Sequence, residues 1–172
     1  CFLTFLLFFS NLKYILCKKF GIFFMKNFNF KIFLLALLIY SLNAFSKSNI
    51  AIIDAAGRGD ISKVKSLINS GVNINQQDEI GENALIEAAE GGYIEVVKLL
   101  IENNVNLNLK SKWGRTALMR ASSKGYADIV KILVESGANL NIKDNRGRTA
   151  LTYANQRGHN AIVKILKAAG AK

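Results

Sequence analysis

At 172 residues the chain is long enough for one domain with a continuous core, and its formal net charge of +11 comes with two cysteines, one histidine and no proline. Both cysteines, Cys1 and Cys17, lie in an apolar leader. The chain beyond residue 46 therefore excludes disulfides, thiolate zinc sites and nucleophilic cysteine chemistry.

In chain order, residues 1–24 come first, without an initiator methionine and built almost entirely of Phe, Leu, Ile, Lys, Asn, Ser and Tyr. We read them as upstream translation from an AT-rich genome or as a fragment. A first membrane segment is the rival reading, and Lys13, Lys18 and Lys19 argue against it. Residues 25–46 have a basic start at Met25-Lys26, an apolar run and a small-residue exit, the layout of a secretory signal peptide. Ala44 and Ser46 fit a cleavage site that leaves Lys47 as the new N-terminus, with Phe45 as the alternative. The run from Ile32 to Phe45 is shorter than the about 20 residues of a spanning helix, which leaves an uncleaved membrane anchor as the second reading. No cysteine closes the run, so no lipid anchor is expected.

Residues 47–172 contain four copies of one pattern at a 33-residue offset. Gly59, Gly92, Gly125 and Gly158 mark it, as do Ala55, Ala88, Ala121 and Ala154, and Leu67, Leu100, Leu133 and Leu166. Asn75, Asn108 and Asn141 close three of the units. A fixed period of this length implies a stacked solenoid in which each unit buries its apolar face against its neighbours. The units run 47–77, 78–110, 111–143 and 144–172.

Within the third unit, Thr116 is a natural helix N-cap, and Asn83 and Thr149 hold the same place. A short helix is expected to about Ser123, ended by Gly125. Ile129, Val130, Ile132, Leu133 and Val134 stripe a second helix, ended by Gly137. Gly71, Gly170 and, in the second unit, Asn104 are its equivalents. The first unit starts near Ser48 without a tip of its own. The fourth is expected to end in a shortened second helix whose lysines solvate an outer face.

The segments Asp78–Tyr93, Ser111–Tyr126 and Asp144–His159 resemble the ankyrin repeat, D-x-x-G-x-T-P-L-H-x-A-A-x-x-G-H. The resemblance spans about residues 47–172 and implies an all-α solenoid of helix-turn-helix units with β-hairpin tips. Two columns depart from it. Ala84, Ala117 and Ala150 replace the family proline, and Ile86, Met119 and Thr152 replace the histidine after the leucine. These changes weaken the turn into the first helix but remove no apolar contact.

Charge is distributed unevenly along the array. Residues 47–109 hold five basic and nine acidic residues, net −4, whereas 110–172 hold thirteen basic and three acidic, net +10. A solenoid keeps sequence order in space, so one end is acidic and the other basic. The resemblance implies that a partner is gripped by the tips and the exposed side of the first helices. The tip positions are Glu79, Ile80 and Glu82, then Lys112, Trp113 and Arg115, then Asn145, Arg146 and Arg148. Helix positions are Glu87, Arg120 and Tyr153, followed by Lys124 and Arg157. Trp113 among cations is read either as an interface anchor or as packing along a neighbouring stem. The bland alternative for the whole stripe is a solvated, variable surface.

No catalytic constellation accompanies these residues. His159 fills the last slot of the repeat, where a backbone bond between units is expected of it. There is no phosphate loop and no metal-ligand spacing. The resulting expectation is a non-enzymatic, monomeric protein-binding module without cofactor, metal or small-molecule substrate. Its partner presents an acidic patch, and it is exported to the periplasm or secreted from a bacterium, with no stable membrane span after signal removal. Nucleic-acid or polyanion binding by the basic half and a secreted effector acting on host proteins are the alternatives.

Overall fold

The structure is a computed structural model and describes residues 50–172. The expectations for 1–24 and for the signal at 25–46 lie outside the described residues. The described chain is all-helical: α1 includes 50–57, α2 is Ile61–Asn69, α3 Ala84–Gly91, α4 Ile94–Glu102, α5 Ala117–Lys124, α6 Ala127–Glu135, α7 Ala150–Gln156 and α8 Asn160–Ala168. Each pair forms one unit, and first helices pack on first helices, second on second. No helix among the described residues is long and apolar enough to cross a membrane.

Local chemistry starts and stops these helices as the periodic residues require. Asn83, Thr116 and Thr149 are extended in backbone and accept the N–H of Ile86, Met119 and Thr152 at 2.8, 3.4 and 3.3 Å. Each satisfies one orphan donor of a short helix, a contribution of about 1 kcal/mol. In the fourth unit Thr152 returns a bond to the Thr149 N–H, closing a capping box. The residue that departs from the repeat pattern thus reinforces the turn it was expected to weaken.

The second helices end alike. Gly137 has φ +87°, and the N–H groups of Ala138 and Gly137 bond back to Leu133 and Val134. That pair of bonds is the Schellman arrangement, which needs a left-handed residue. Asn104 takes the same role at φ +59°. The fourth unit differs from expectation: α8 has nine residues, as many as α2, α4 and α6. It stops in the same place because Gly170, at φ +89°, ends it as Gly137 ends α6. Its Lys164 and Lys167 are exposed, as expected.

The core follows the same columns. Ala55, Ala88, Ala121 and Ala154 are buried and let first helices approach closely. Leu100, Leu133 and Leu166 are fully buried between second helices. Removing such a leucine side chain costs about 2–5 kcal/mol.

Polar bonds sew the units together where the apolar stripe stops. The side-chain carbonyl of Asn75 accepts the Asn106 N–H at 2.7 Å, and Asn108 accepts that of Asn139 at 2.9 Å. Asn141 accepts the Lys172 N–H at 2.8 Å. Aromatic rings do related work at the other side of the unit. A Cβ on Gly59 would stand 2.5 Å from the Tyr93 ring, and one on Gly92 2.7 Å from Tyr126. His159 fills this slot beneath Gly125, with its Nε2 3.2 Å from the Ser123 carbonyl oxygen, the inter-unit backbone bond expected of it.

Candidate functional site

The tips are tight turns, and among the described residues they contain no strand, only an isolated bridge between Gln77 and Asn83. Asp78 builds the second unit's tip by accepting the N–H groups of Ile80 and Glu82, both at 2.9 Å. Asp144 does the same for Arg146 and Arg148 in the fourth unit, at 2.8 and 2.9 Å. The third unit has Ser111 in that place, and its hydroxyl oxygen accepts the Arg115 N–H at 3.3 Å.

Successive tips touch through backbone. The Lys112 N–H donates to the Ile80 carbonyl at 2.9 Å, and the Asn145 N–H to the Trp113 carbonyl at 3.1 Å. The Asn145 side-chain amide also donates to the Lys112 carbonyl at 2.7 Å. Gly81 and Gly114 make this approach possible, since a Cβ there would lie 2.9 Å from Lys112 N and 2.8 Å from Asn145 N. Equivalent residues therefore line up across the array. One row reads Ile80, Trp113, Arg146, and beside it runs Glu79, Lys112, Asn145. All six are exposed, with Ile80 at 43% and Trp113 at 47%. Trp113 thus keeps about half of its surface open to solvent.

Other residues expected on the binding face are turned inward. Glu82 is 1% exposed. Its carboxylate accepts from the Arg120 guanidinium, which also meets Glu90 at 2.7 Å. Glu90 in turn pairs with Lys124 at 3.2 Å. Tyr153 is 7% exposed and donates its hydroxyl to Asp144 at 2.8 Å. Arg148 reaches the same carboxylate oxygen through Nε at 2.9 Å and lies 4.6 Å over the Tyr153 ring. Glu82 and Tyr153, expected on the partner-binding face, are thus buried in the platform beneath the tips, and Arg120 and Arg148 are engaged within it. The physical reason is that a carboxylate buried at the base of a tip needs a compensating cation or hydrogen-bond donor, supplied to Glu82 by Arg120 of the next unit and to Asp144 by Arg148 and Tyr153 of its own.

Electrostatics reflects that packing. Burial pushes the Glu82 carboxyl up, against the opposing pull of Arg120. Glu87 is also raised, by burial first and then by the charges of Glu82 and Glu90. Burial acts in the same sense on Asp144 but is outweighed by bonds from the Arg148 N–H, the Tyr153 hydroxyl, the Arg148 guanidinium and the Arg146 N–H. The carboxyl is held well below the usual carboxylate range.

Of the remaining expected residues, Lys124 and Arg157 are exposed, whereas Glu87 and Arg115 are partly buried. Arg115 stands 5.9 Å over Tyr153. An open cleft of about 320 Å³ joins Glu87 to Asp54, Arg58 and Asp78 over Ile50 and Ile53. Asp54 was not singled out from the sequence. Counting one period back from Glu87 arrives at it.

Set beside known proteins, the chain matches the family model described as ankyrin repeats in three copies, over residues 52–144 and again over 106–172. No curated protein matches the chain.

Proposed function

The chain belongs to the ankyrin-repeat family, whose members are generally protein–protein interaction modules, and from that premise we propose that it is a non-enzymatic scaffold binding one protein partner across its tips. The observation that carries this reading is the exposed row Ile80, Trp113 and Arg146, held in register by tip-to-tip backbone bonds. Trp and Arg are the side chains that most often anchor interfaces, and a rigid platform lowers the ordering cost of binding. Glu79, Lys112 and Asn145 flank the row, with Glu87, Arg115, Lys124 and Arg157 on the adjoining helices. Glu82, Arg120, Arg148 and Tyr153 support the platform without touching the partner. The partner patch that faces the third and fourth units is acidic, because residues 110–172 carry a net charge of +10.

Export completes the proposal. The signal layout of 25–46 directs the protein to the periplasm or beyond, where it acts as a monomer. N-terminal sequencing of the native protein tests this: a start at Lys47 or Phe45 supports it, and a chain that retains Ile32 to Tyr40 overturns it.

The binding test is a titration of the partner recovered by pull-down, at two salt concentrations. Trp113→Ala is expected to weaken binding by about 2 kcal/mol, near thirtyfold. Replacing Arg146 by Glu slows association, with an effect that shrinks as salt rises. If both variants bind as wild type does, the row is solvated surface and the reading fails. Equal, steeply salt-dependent affinity for any polyanion would instead favour nucleic acid.

A further inference from the structure

The tips also carry a spacing. Resting on the tip-face reading above, we infer that the partner presents an extended segment of the pattern basic, two intervening residues, apolar, two intervening residues, acidic, read in either chain direction.

The apolar position follows from exposure. Ile80 and Trp113 occupy the same place in adjacent tips and are both about half exposed, at 43% and 47%. They make one apolar strip two units long on an otherwise polar ridge. An apolar side chain laid on the indole covers both.

The charged positions follow from what the platform leaves free. Glu82, Glu90, Arg120 and Lys124 neutralise one another, and Asp144 does the same for Arg148. On the tips themselves Glu79 then faces solvent at one side of the strip, and Arg146 at the other, with Lys112 beside Trp113. A segment crossing all three tips meets acid, then apolar surface, then base. Its own charges have to run in the opposite order.

Register sets the distance. First helices of successive units pack directly on one another, a separation of about 8–10 Å. An extended chain rises about 3.3 Å per residue, so one unit corresponds to about three residues. A helical segment would need about seven residues per unit, at about 1.5 Å each. The exposed tip side chains run in two adjacent rows, Glu79 beside Ile80 and Lys112 beside Trp113, a ridge along which an extended chain can lie, whereas a helix is held by a groove. An extended segment is the form that fits.

The test is selection of a displayed library of random nonapeptides on the full chain, followed by synthesis of one enriched peptide. We expect the enriched sequences to share an acidic residue three positions from an apolar one. The synthetic peptide should bind Trp113→Ala and R146E at least tenfold more weakly than wild type. Replacing its acidic residue by lysine should restore binding to R146E alone, a charge swap that a merely unfolded variant cannot produce. Enrichment at a spacing of seven, or with no fixed spacing, overturns the inference but leaves the tip-face reading standing if Trp113→Ala still abolishes binding. Peptides that bind Trp113→Ala as well as wild type, or a library that yields no binder, overturn the inference, and the first of these overturns the tip-face reading too. Displacement of the peptide by a single-stranded oligonucleotide at equal charge concentration would identify the ridge as a polyanion site and likewise overturn it.

Discussion

Arg120, on α5, reaches back across a unit boundary to the carboxylate of Glu82 at the base of the preceding tip. The arginine side chain is 16% exposed and the glutamate 2%. Glu90 shares the same guanidinium. An acidic tip is thereby locked to a basic helix, and the lock lies beneath the surface that a partner would meet.

Removing one member of a pair this deeply placed leaves the other charge uncompensated. Arg120→Ala is therefore expected to lower stability by about 3 kcal/mol. Glu82→Gln in the same background should recover part of that loss, because it removes the orphaned charge. Urea denaturation of the two single variants and the double variant measures the coupling. Additive losses would show that the pair does not interact.

Ser122 makes the opposite case. It is fully buried, and its hydroxyl oxygen has no hydrogen-bond partner among the described residues. One unit earlier the same position is Ala89, equally buried. Ser122→Ala is expected to stabilise the array by about 1 kcal/mol, the desolvation cost of an unpaired polar group. A rise of a few degrees in thermal midpoint would bear this out, and a fall would show that the hydroxyl is satisfied in solution.

Gly125 and Gly137 separate two costs that usually come together. Both are left-handed, at φ +90° and +87°. A Cβ on Gly125 meets the His159 ring at 2.8 Å, whereas nothing lies within 4 Å of one on Gly137. Alanine at Gly137 should cost only the conformational penalty of about 1–2 kcal/mol. At Gly125 it should cost more, and valine more again. Equal losses at the two sites would mean that the His159 ring moves aside freely.

Acid stability should have two limbs. The bonds that hold Asp144 low contribute stability above the ordinary aspartate range, about pH 3.9, and that contribution is lost as pH falls through the folded value. Glu87 is shifted the other way, so its contribution is full below about pH 4.3 and is lost as pH rises through its own raised value. Glu87→Gln should thus raise the urea midpoint at pH 7 and leave it unchanged near pH 4. Asp144→Asn should lower the midpoint at pH 7 and flatten the acid limb. A pH-independent effect of either change would dissociate the carboxyl from its packing.

Caps and left-handed turns were legible in the sequence because they are intrinsic to the unit. Thr116, Gly125 and Gly137 each act within a few residues of themselves, so one period suffices to read them. The exposed row was legible for the same reason: columns 33 apart become neighbours in a stack. The Glu82–Arg120 pair was hidden because its members are 38 residues apart, in different columns. In an alignment of units Glu82 stands above Arg115 and Arg148 and reads as a surface stripe. Tyr153 misled likewise. It shares a column with Glu87 and Arg120, but its hydroxyl turns to Asp144, nine residues earlier in its own unit. Side-chain direction at the base of a tip depends on which counter-charge a neighbour offers, and periodicity carries no record of that.

The asparagine bonds between Asn75 and Asn106, and between Asn108 and Asn139, make the molecule a zipper. Each is a tooth that engages only the next, so an interior unit cannot release its backbone until a neighbour has let go. Opening then spreads stepwise, with a graded slowing of amide exchange toward the middle of the array. A ligand laid across three tips would clasp several teeth at once, and its arrival could be read from protons that it never touches.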